Sequence, residues 1–303
     1  MMTIAIPTYN RGAILVRTLE SLLSMRTSVD EILVVDQTRE HPPAVEARLR
    51  EWEAAGKVRV VRLGVPSIPH AMNVALDEAR HERLLFLDDD SAPTPEGIEA
   101  HGRTLEEPGV WAVVGQVLQP GEEPEHFEEA VLRRGMLRDL EFRFNHDTAC
   151  DVQNVIACNL SVIRSLALSI GGFDENYVAV AYRFETDFAL RVVGAGGRVR
   201  FQPAASARHL KIPTGGVRAY GDHRTSASPA HSVGDYYFAR RHAPRFGRYV
   251  LQRLRRNVVT RFHLTHPWTI PAKLIGETRG LLLALRLHRK GRAPGVVAPG
   301  APS

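Results

Sequence analysis

The chain has 303 residues, 44% hydrophobic and 24% charged, which is long enough for one large domain and an appendage and excludes a disordered tail protein. No run approaches the ~20 apolar residues of a membrane-spanning helix, and Met1 leads straight into an apolar strand without a charged start and cleavage site, so a cytoplasmic protein is expected. The net charge of +5 conceals an asymmetry, because residues 1–200 hold 21 Lys+Arg against 31 Asp+Glu while residues 201–303 hold 18 against 3.

The first ninety residues alternate β-rich runs with amphipathic ones, the pattern of a parallel sheet built from βαβ units. Thr3–Ile6 reads as a strand, Pro7-Thr8-Tyr9-Asn10 as a turn, and residues 11–24 as a helix with Ile14, Leu15, Thr18, Leu19, Leu22 and Leu23 on one face. Glu31–Asp36 is the second strand, Ala44–Ala55 a helix, Val58–Leu63 the third strand, Ala71–Arg80 a helix, and Arg83–Leu87 a fourth strand that delivers Asp88-Asp89-Asp90. The turns that follow these strands share one edge of the sheet, where open α/β sheets bind ligands. Farther on, Pro95–Leu105 is a helix, Trp111–Leu118 a strand, residues 119–147 a loop region with a short helix, and Val152–Val162 a strand. Cys150 and Cys158 lack the His or Cys companions of a zinc site and are expected to be reduced, packed thiols. Gly171-Gly172-Phe173-Asp174 is a turn, Phe184–Val193 a short helix and Arg198–Gln202 a strand. Residues 215–229 form a loop, Tyr236–Thr260 and Pro271–Leu287 are helical, and the last dozen residues are expected to be disordered.

Three adjacent carboxylates at the end of a buried strand repel one another unless a cation neutralises them. Oxygen ligands beside a diphosphate suit Mg²⁺ or Mn²⁺, and the alternation of an extended segment turns Asp88 and Asp90 one way and Asp89 the other. A solvated acidic turn is the plainer alternative. Asp36 ends the second strand at the same edge, where it either meets a ribose or base or caps a turn. Neither G-x-G-x-x-G after the first strand nor a P-loop is present, so phosphates must be held by a metal.

Together, Ile4–Arg11, the Val34-Val35-Asp36 strand end, Asn73 before Leu85-Phe86-Leu87-Asp88-Asp89-Asp90, the Gly171–Glu175 turn and the Phe184–Arg191 stretch resemble family 2 glycosyltransferases of the GT-A fold. The similarity covers about the first 210 residues and is nearest to rhamnosyltransferase-like members. It implies a GT-A, Rossmann-like α/β domain over residues 1–215, with a mostly parallel sheet flanked by helices, followed by a basic helical extension over 216–303. It also implies that Pro7, Thr8 and Tyr9 line the nucleotide pocket, that Asp36 contacts the nucleoside, and that Asn73 belongs to the same site. Asp88 and Asp90 match the family's D-x-D pair, Asp90 as direct metal ligand and Asp88 nearer the ribose, and His209 resembles the histidine that completes metal coordination in some GT-A enzymes. Glu185 falls where the family carries its Glu-Asp pair or its catalytic Asp, but Thr186 breaks the doublet.

Chemistry gives an independent reason to look at Glu185 and Asp187. Inverting glycosyl transfer needs a carboxylate to take the acceptor's proton, and on a helix these two lie about 200° apart, so only one faces the donor. Glu185, with the longer side chain, is the expected base, and Asp187 is the reserve; the alternative is that both simply favour the helix N-terminus. Arg208, Lys211 and Arg218 either close over the donor diphosphate or form a solvated basic face. The arginines and aromatics from Tyr236 to Arg261 suit a helix lying on an anionic membrane, beside a lipid-linked acceptor, or one packed on the catalytic domain. The expectation is therefore a metal-dependent, inverting glycosyltransferase that uses a nucleoside-diphosphate sugar and a glycan, lipid-linked or small-molecule acceptor, with no nucleic-acid partner. A sugar nucleotidyltransferase and a non-catalytic nucleotide-sugar or glycan-binding protein are the competing readings.

Overall fold

A computed structural model of the protein describes residues 1–25, 29–128, 142–212 and 222–289. The N-terminal series runs β1 (Met2–Thr8), α1 (Gly12–Ser24), β2 (Glu31–Asp36), α2 (Pro43–Ala54), β3 (Arg59–Arg62), α3 (Ile68–Glu78) and β4 (Arg83–Leu87). These strands are parallel and stand in the order β3-β2-β1-β4. They read as continuous apolar runs because both faces of the sheet are covered. Ile4, Ile6, Val34 and Leu85 point to one face and pack with Leu15, Leu19, Leu49 and Trp52 of α1 and α2. Ala5, Leu33, Val35 and Phe86, one pleat out of step, point to the other and pack with Met72, Ala75 and Leu76 of α3.

The second half extends the same sheet through β5 (Ser91–Pro93), α4 (Pro95–Thr104), β6 (Val110–Leu118), β7 (Cys150–Asp151), β8 (Asn159–Ile163), α5 (Arg164–Ser169), α6 (Phe184–Gly194) and β9 (Arg198–His209). β8 lies antiparallel between β4 and β6, β6 and β9 are parallel, and β5 and β7 add antiparallel to β9. The strand expected over 152–162 starts only at Asn159. The residues before it leave the ladder, and Ala157 gives its N–H to Glu185 while the Cys158 carbonyl accepts from Ser91 Oγ. β9 runs seven residues past the expected end at Gln202, and this continuation carries His209 opposite Ser91. At the β6–β9 bulge a Cβ on Gly115 would sit 2.0 Å from the Ala205 carbonyl oxygen, so only glycine lets the strands approach there.

Beyond residue 222 come α7 (Val233–His242), α8 (Phe246–Val258), α9 (Arg261–Thr265) and α10 (Ile270–Arg289), with short 3₁₀ turns at Pro229–His231 and Pro267–Thr269. The single helix expected over 236–260 is two, because Pro244 removes an N–H and forces Ala243 to an extended ψ of 122°. Tyr236, Tyr237 and Phe238 of α7 are buried in the same apolar cluster as Phe173, Phe184 and Phe188, so this helix shares the core of the sheet domain. The boundary expected near residue 215 lies outside the described residues. Among the described residues no helix is long and apolar enough to cross a membrane, while Leu251, Val259, Leu264, Trp268, Leu274, Ile275 and Leu282 are exposed.

Candidate active site

The C-terminal ends of β1, β2 and β4 open into a cavity of about 170 Å³ that Pro7, Thr8, Tyr9 and Arg11 line on one side and Asp88, Ala157 and His209 on another. The chain leaves β1 through Asn10, which takes a left-handed φ of 56° and gives its N–H to Thr38 Oγ1 at 2.9 Å. That bend points Arg11 back at the acidic run. Its Nη1 lies 2.8 Å from Asp89 Oδ1 and 3.2 Å from Asp90 Oδ1.

The three aspartates separate, although they form a turn closed by the Ser91 N–H on the Asp88 carbonyl in place of the extended segment expected. Asp89 turns inward, where its carboxylate accepts from Thr8 Oγ1 at 2.7 Å and its carbonyl from Thr18 Oγ1 at 2.6 Å. Asp88 and Asp90 face His209, with ligand atoms of all three within 4.8 Å of one another. The His209 Nε2 atom is 3.2 Å from Asp90 Oδ1 and 3.8 Å from Asp88 Oδ2, while its Nδ1 faces Gln119 Oε1 at 3.1 Å, which orients the ring. Register explains the meeting, because Ser91 pairs with His209 and the Leu210 N–H binds the Asp90 carbonyl.

The electrostatics are equally uneven. Burial and the Asp89 charge push the Asp88 carboxyl up to about 7, although its side chain is 46% exposed at the mouth of the cleft. For Asp90 burial also opposes ionisation, but the His209 imidazole 3.2 Å away and the Ile212 N–H overcome it and hold the carboxyl at about 2. His209 is raised first by its bond to Asp90. Asp90 Oδ1 is buried and accepts no well-directed hydrogen bond, despite the nitrogens nearby. Two carboxylates and an imidazole around such an oxygen form a donor set that fits Mn²⁺ or Mg²⁺.

Glu185 and Asp187, both in the first turn of α6, meet opposite surroundings. Glu185 Oε1 accepts a long bond, 3.3 Å, from the N–H of Ala157, a residue of the cleft wall. Burial raises its pKa to about 7, and the Asp88 charge adds to the rise. Asp187 is wholly buried on the far side, 2.7 Å from Arg191 Nε, 3.1 Å from Arg241 Nε and 2.7 Å from His242 Nε2. Burial would raise its pKa too, but these partners hold it at about 2. Asp187 is thus an anchor between α6 and α7, facing away from the cleft wall that Glu185 touches.

Asp36 is fully buried, with Oδ1 accepting the Thr38 N–H at 2.9 Å and Oδ2 lying 2.7 Å from His41 Nε2 and 3.4 Å from Arg62 Nη1. It therefore shapes the turn that carries Gln37 into the cavity wall. Asn73, expected at the nucleotide, is occupied elsewhere. Its Nδ2 donates to the Phe173 carbonyl and to Glu175, and its Oδ1 accepts from the Phe173 N–H at 2.7 Å. Gly172, at φ +60°, leaves room for that clamp, since a Cβ there would lie 2.4 Å from Asn73 Oδ1. Asn73→Ala is expected to cost about 1–3 kcal/mol by orphaning the Phe173 backbone groups, with nucleotide affinity unchanged. Denaturation and nucleotide titration check both halves.

Of the three basic residues expected over the diphosphate, Arg218 lies outside the described residues. Arg208 is exposed and, as the strand neighbour of His209, points to the opposite face; Lys211 is exposed as well. The cation that the structure does bring to the acidic run is Arg11, which the sequence showed only as the end of the Ile4–Arg11 run, and Gln119, facing His209, is the other unforeseen partner. Cys150 and Cys158 are both free thiols, as expected, and burial raises the Cys158 pKa well above its usual range.

The sequence profile of glycosyl transferase family 2 matches residues 3–170. Among solved structures, the fold is similar to the mannosyltransferase PcManGT of Pyrobaculum calidifontis in complex with GDP-Man and Mn²⁺ (19% identity, TM-score 0.57, 96% of this chain and 79% of that one). It is also similar to S. aureus TarS 1-349 in complex with UDP-GlcNAc (15%, 0.55, 96% and 73%) and to GalNAc-T7 with UDP, GalNAc and Mn²⁺ (12%, 0.56, 81% and 52%). No curated protein matches the sequence.

Proposed function

The chain belongs to glycosyltransferase family 2, and we propose that it moves a sugar from a nucleoside-diphosphate donor to an acceptor hydroxyl with inversion at the anomeric carbon. One observation carries this reading: Glu185, a carboxyl poised at about 7, accepts the N–H of Ala157, which lines the same cleft as Asp88 and His209 of the Asp88, Asp90 and His209 cluster. Asp88, Asp90 and His209 would hold Mg²⁺ or Mn²⁺, whose charge, when bound, offsets that of a departing diphosphate. Pro7, Thr8 and Tyr9 line the nucleotide end, and Asp36 fixes the adjoining turn. Arg11 holds Asp89 and Asp90 in place. Glu185 takes the proton of the acceptor hydroxyl; the hydroxyl oxygen forms the new bond to the anomeric carbon as the bond to the diphosphate oxygen breaks, and the electron pair leaves with the nucleoside diphosphate. The solved relatives named above were captured with GDP- and UDP-linked ligands, which supports this donor class. The exposed apolar residues and arginines of α8 to α10 support peripheral contact with an anionic membrane at the cytoplasmic face.

The test incubates pure protein with Mn²⁺ and a panel of UDP-, GDP- and dTDP-sugars and follows the products of slow donor hydrolysis. Free nucleoside diphosphate, lost on adding EDTA and reduced by roughly a hundredfold or more in Asp90→Asn, is the expected result. Formation of nucleoside triphosphate and sugar 1-phosphate when pyrophosphate is added would instead make the protein a nucleotidyltransferase, and no turnover would leave a binding protein.

A further inference from the structure

On the other side of the α6 N-terminus lies a second cavity, of about 420 Å³, walled by residues 180–183 and by α7, α8 and α10. Its lining carries four permanent cations, Arg183, Arg253, Arg256 and Lys273, with His223 and His231, against one carboxylate, Asp235. Asp235 accepts from Tyr249 at 2.7 Å and pairs with both Arg253 and Arg183. The next acid, Glu277, stands behind the wall, 2.9 Å from Arg253 Nε and 2.8 Å from Lys273 Nζ. Even with Glu277 counted, the formal charge of the cavity is positive; Arg183, Asp235, Arg253 and Lys273 are buried, while Tyr182, His223, Gln252 and Arg256 open to solvent. A positively charged hollow of this size, open to solvent on one side, concentrates an anion the size of a phosphorylated sugar or lipid head.

The cavity touches the reaction site through one short piece of chain. Ala179, Ala181 and Arg183 adopt φ of 62°, 54° and 76°, a left-handed series that L residues hold only when their surroundings impose it. Arg183 both lines the cavity and stands at the N-cap of α6, two residues before Glu185. Glu185 thus binds the N–H of Ala157, a donor-cleft residue, and follows Arg183, a residue of the basic cavity, by two positions. We propose that this cavity is the acceptor subsite and that it takes a phosphoryl group of the acceptor, leaving the acceptor hydroxyl at Glu185. The proposal rests on the transferase reading above. Guanidinium forks and an ammonium are the groups that match phosphoryl oxygens, and among the described residues Asp235 is the one carboxylate of the wall. A lipid phosphate and a soluble sugar phosphate share that chemistry. Leu251, beside the lining residue Gln252, and Leu274, beside Lys273, are exposed, which favours the lipid.

The probe is inorganic pyrophosphate, titrated calorimetrically into the full chain in EDTA, where no metal holds a diphosphate in the donor cleft. The wild-type chain is expected to bind it, Arg256→Gln to weaken binding by roughly tenfold or more and Arg256→Glu to abolish it, while Arg255→Gln, a neighbour outside the cavity, leaves it unchanged. Arg256 is exposed, so these variants should fold, and thermal melting checks that they do. Absent binding, or binding indifferent to Arg256→Glu, overturns the proposal. With donor and Mn²⁺ present, farnesyl phosphate carried in neutral vesicles and glucose 1-phosphate in solution are then compared as competitors of pyrophosphate; displacement by either supports the subsite and identifies its source, and displacement by neither overturns it. Donor hydrolysis by the wild-type chain is read separately, so a failed transferase and a failed anion site give different results.

Discussion

Glu185→Gln is expected to reduce sugar transfer by about 10²–10⁴-fold while leaving donor affinity near that of the wild type, because a positioned general base contributes on that order and the amide keeps the side chain's shape. The same change should stabilise the fold. Burial lifts the Glu185 pKa to about 7, above the 4.5 of an exposed glutamate, so between these values the folded chain binds the proton that the unfolded chain has released. Stability then falls as pH rises from about 4.5 to 7, and an uncharged glutamine escapes that loss. Melting at pH 8 should show a higher Tm for the variant, by about 2–4 °C for each kcal/mol relieved. The wild-type rate should rise with pH along an acid limb at or somewhat below about 7, since a cation at Asp88 and Asp90 would offset the Asp88 contribution. A variant that keeps the wild-type rate, or the same acid limb, removes Glu185 from the reaction. Lost activity with a raised Tm is the signature of a group held ionisable for function at a cost in stability.

How much of this was legible in the sequence follows from the range of the interactions involved. β1, β2 and β4 stood out because a sheet covered on both faces writes itself as unbroken apolar runs, and Asp36 and Asp88 marked where those runs end at the ligand edge. His209 was named only through the family resemblance. What brings it to the aspartates is β5, three residues long, too short to leave any periodicity. Arg11 had no signal of its own, since its role depends on the left-handed Asn10 and on aspartates 78 and more residues away. The clamp that Asn73 forms had no local signal for the same reason: its partners at Phe173 lie 100 residues along the chain. Pro244 is a different case. The signal for a helix break was local and present, and the apolar and arginine spacing on either side hid it. The basic cavity was foreshadowed only as an excess of arginine, because which cations face a common hollow is decided by the packing of α7, α8 and α10 against residues 180–183.

Asp187→Ala should produce the opposite outcome to Glu185→Gln, a large loss of stability. Asp187 is wholly buried and carries two guanidinium groups and an imidazole on its two oxygens, Arg191 from its own helix and Arg241 and His242 from α7. Removing it strands those groups in the interior, an effect of about 3–5 kcal/mol, or a Tm lowered on the order of 6–20 °C. The pH dependence has the opposite sign as well. A carboxylate held at about 2 against an ordinary 3.8 contributes stability that is fully present above about pH 4 and disappears as pH falls toward 2. Acid unfolding of the wild type should therefore steepen in that window, and the variant should lack the change. Because Asp187 joins α6 to α7, its loss should also loosen the wall between the donor cleft and the basic cavity, so that hydrogen exchange quickens in residues 233–242. Donor hydrolysis per folded molecule is the discriminating measurement. If Asp187→Ala melts normally yet hydrolyses nothing, the two first-turn acids of α6 have exchanged roles, since a buried anchor cannot be removed without cost and a proton acceptor cannot be removed without loss of rate.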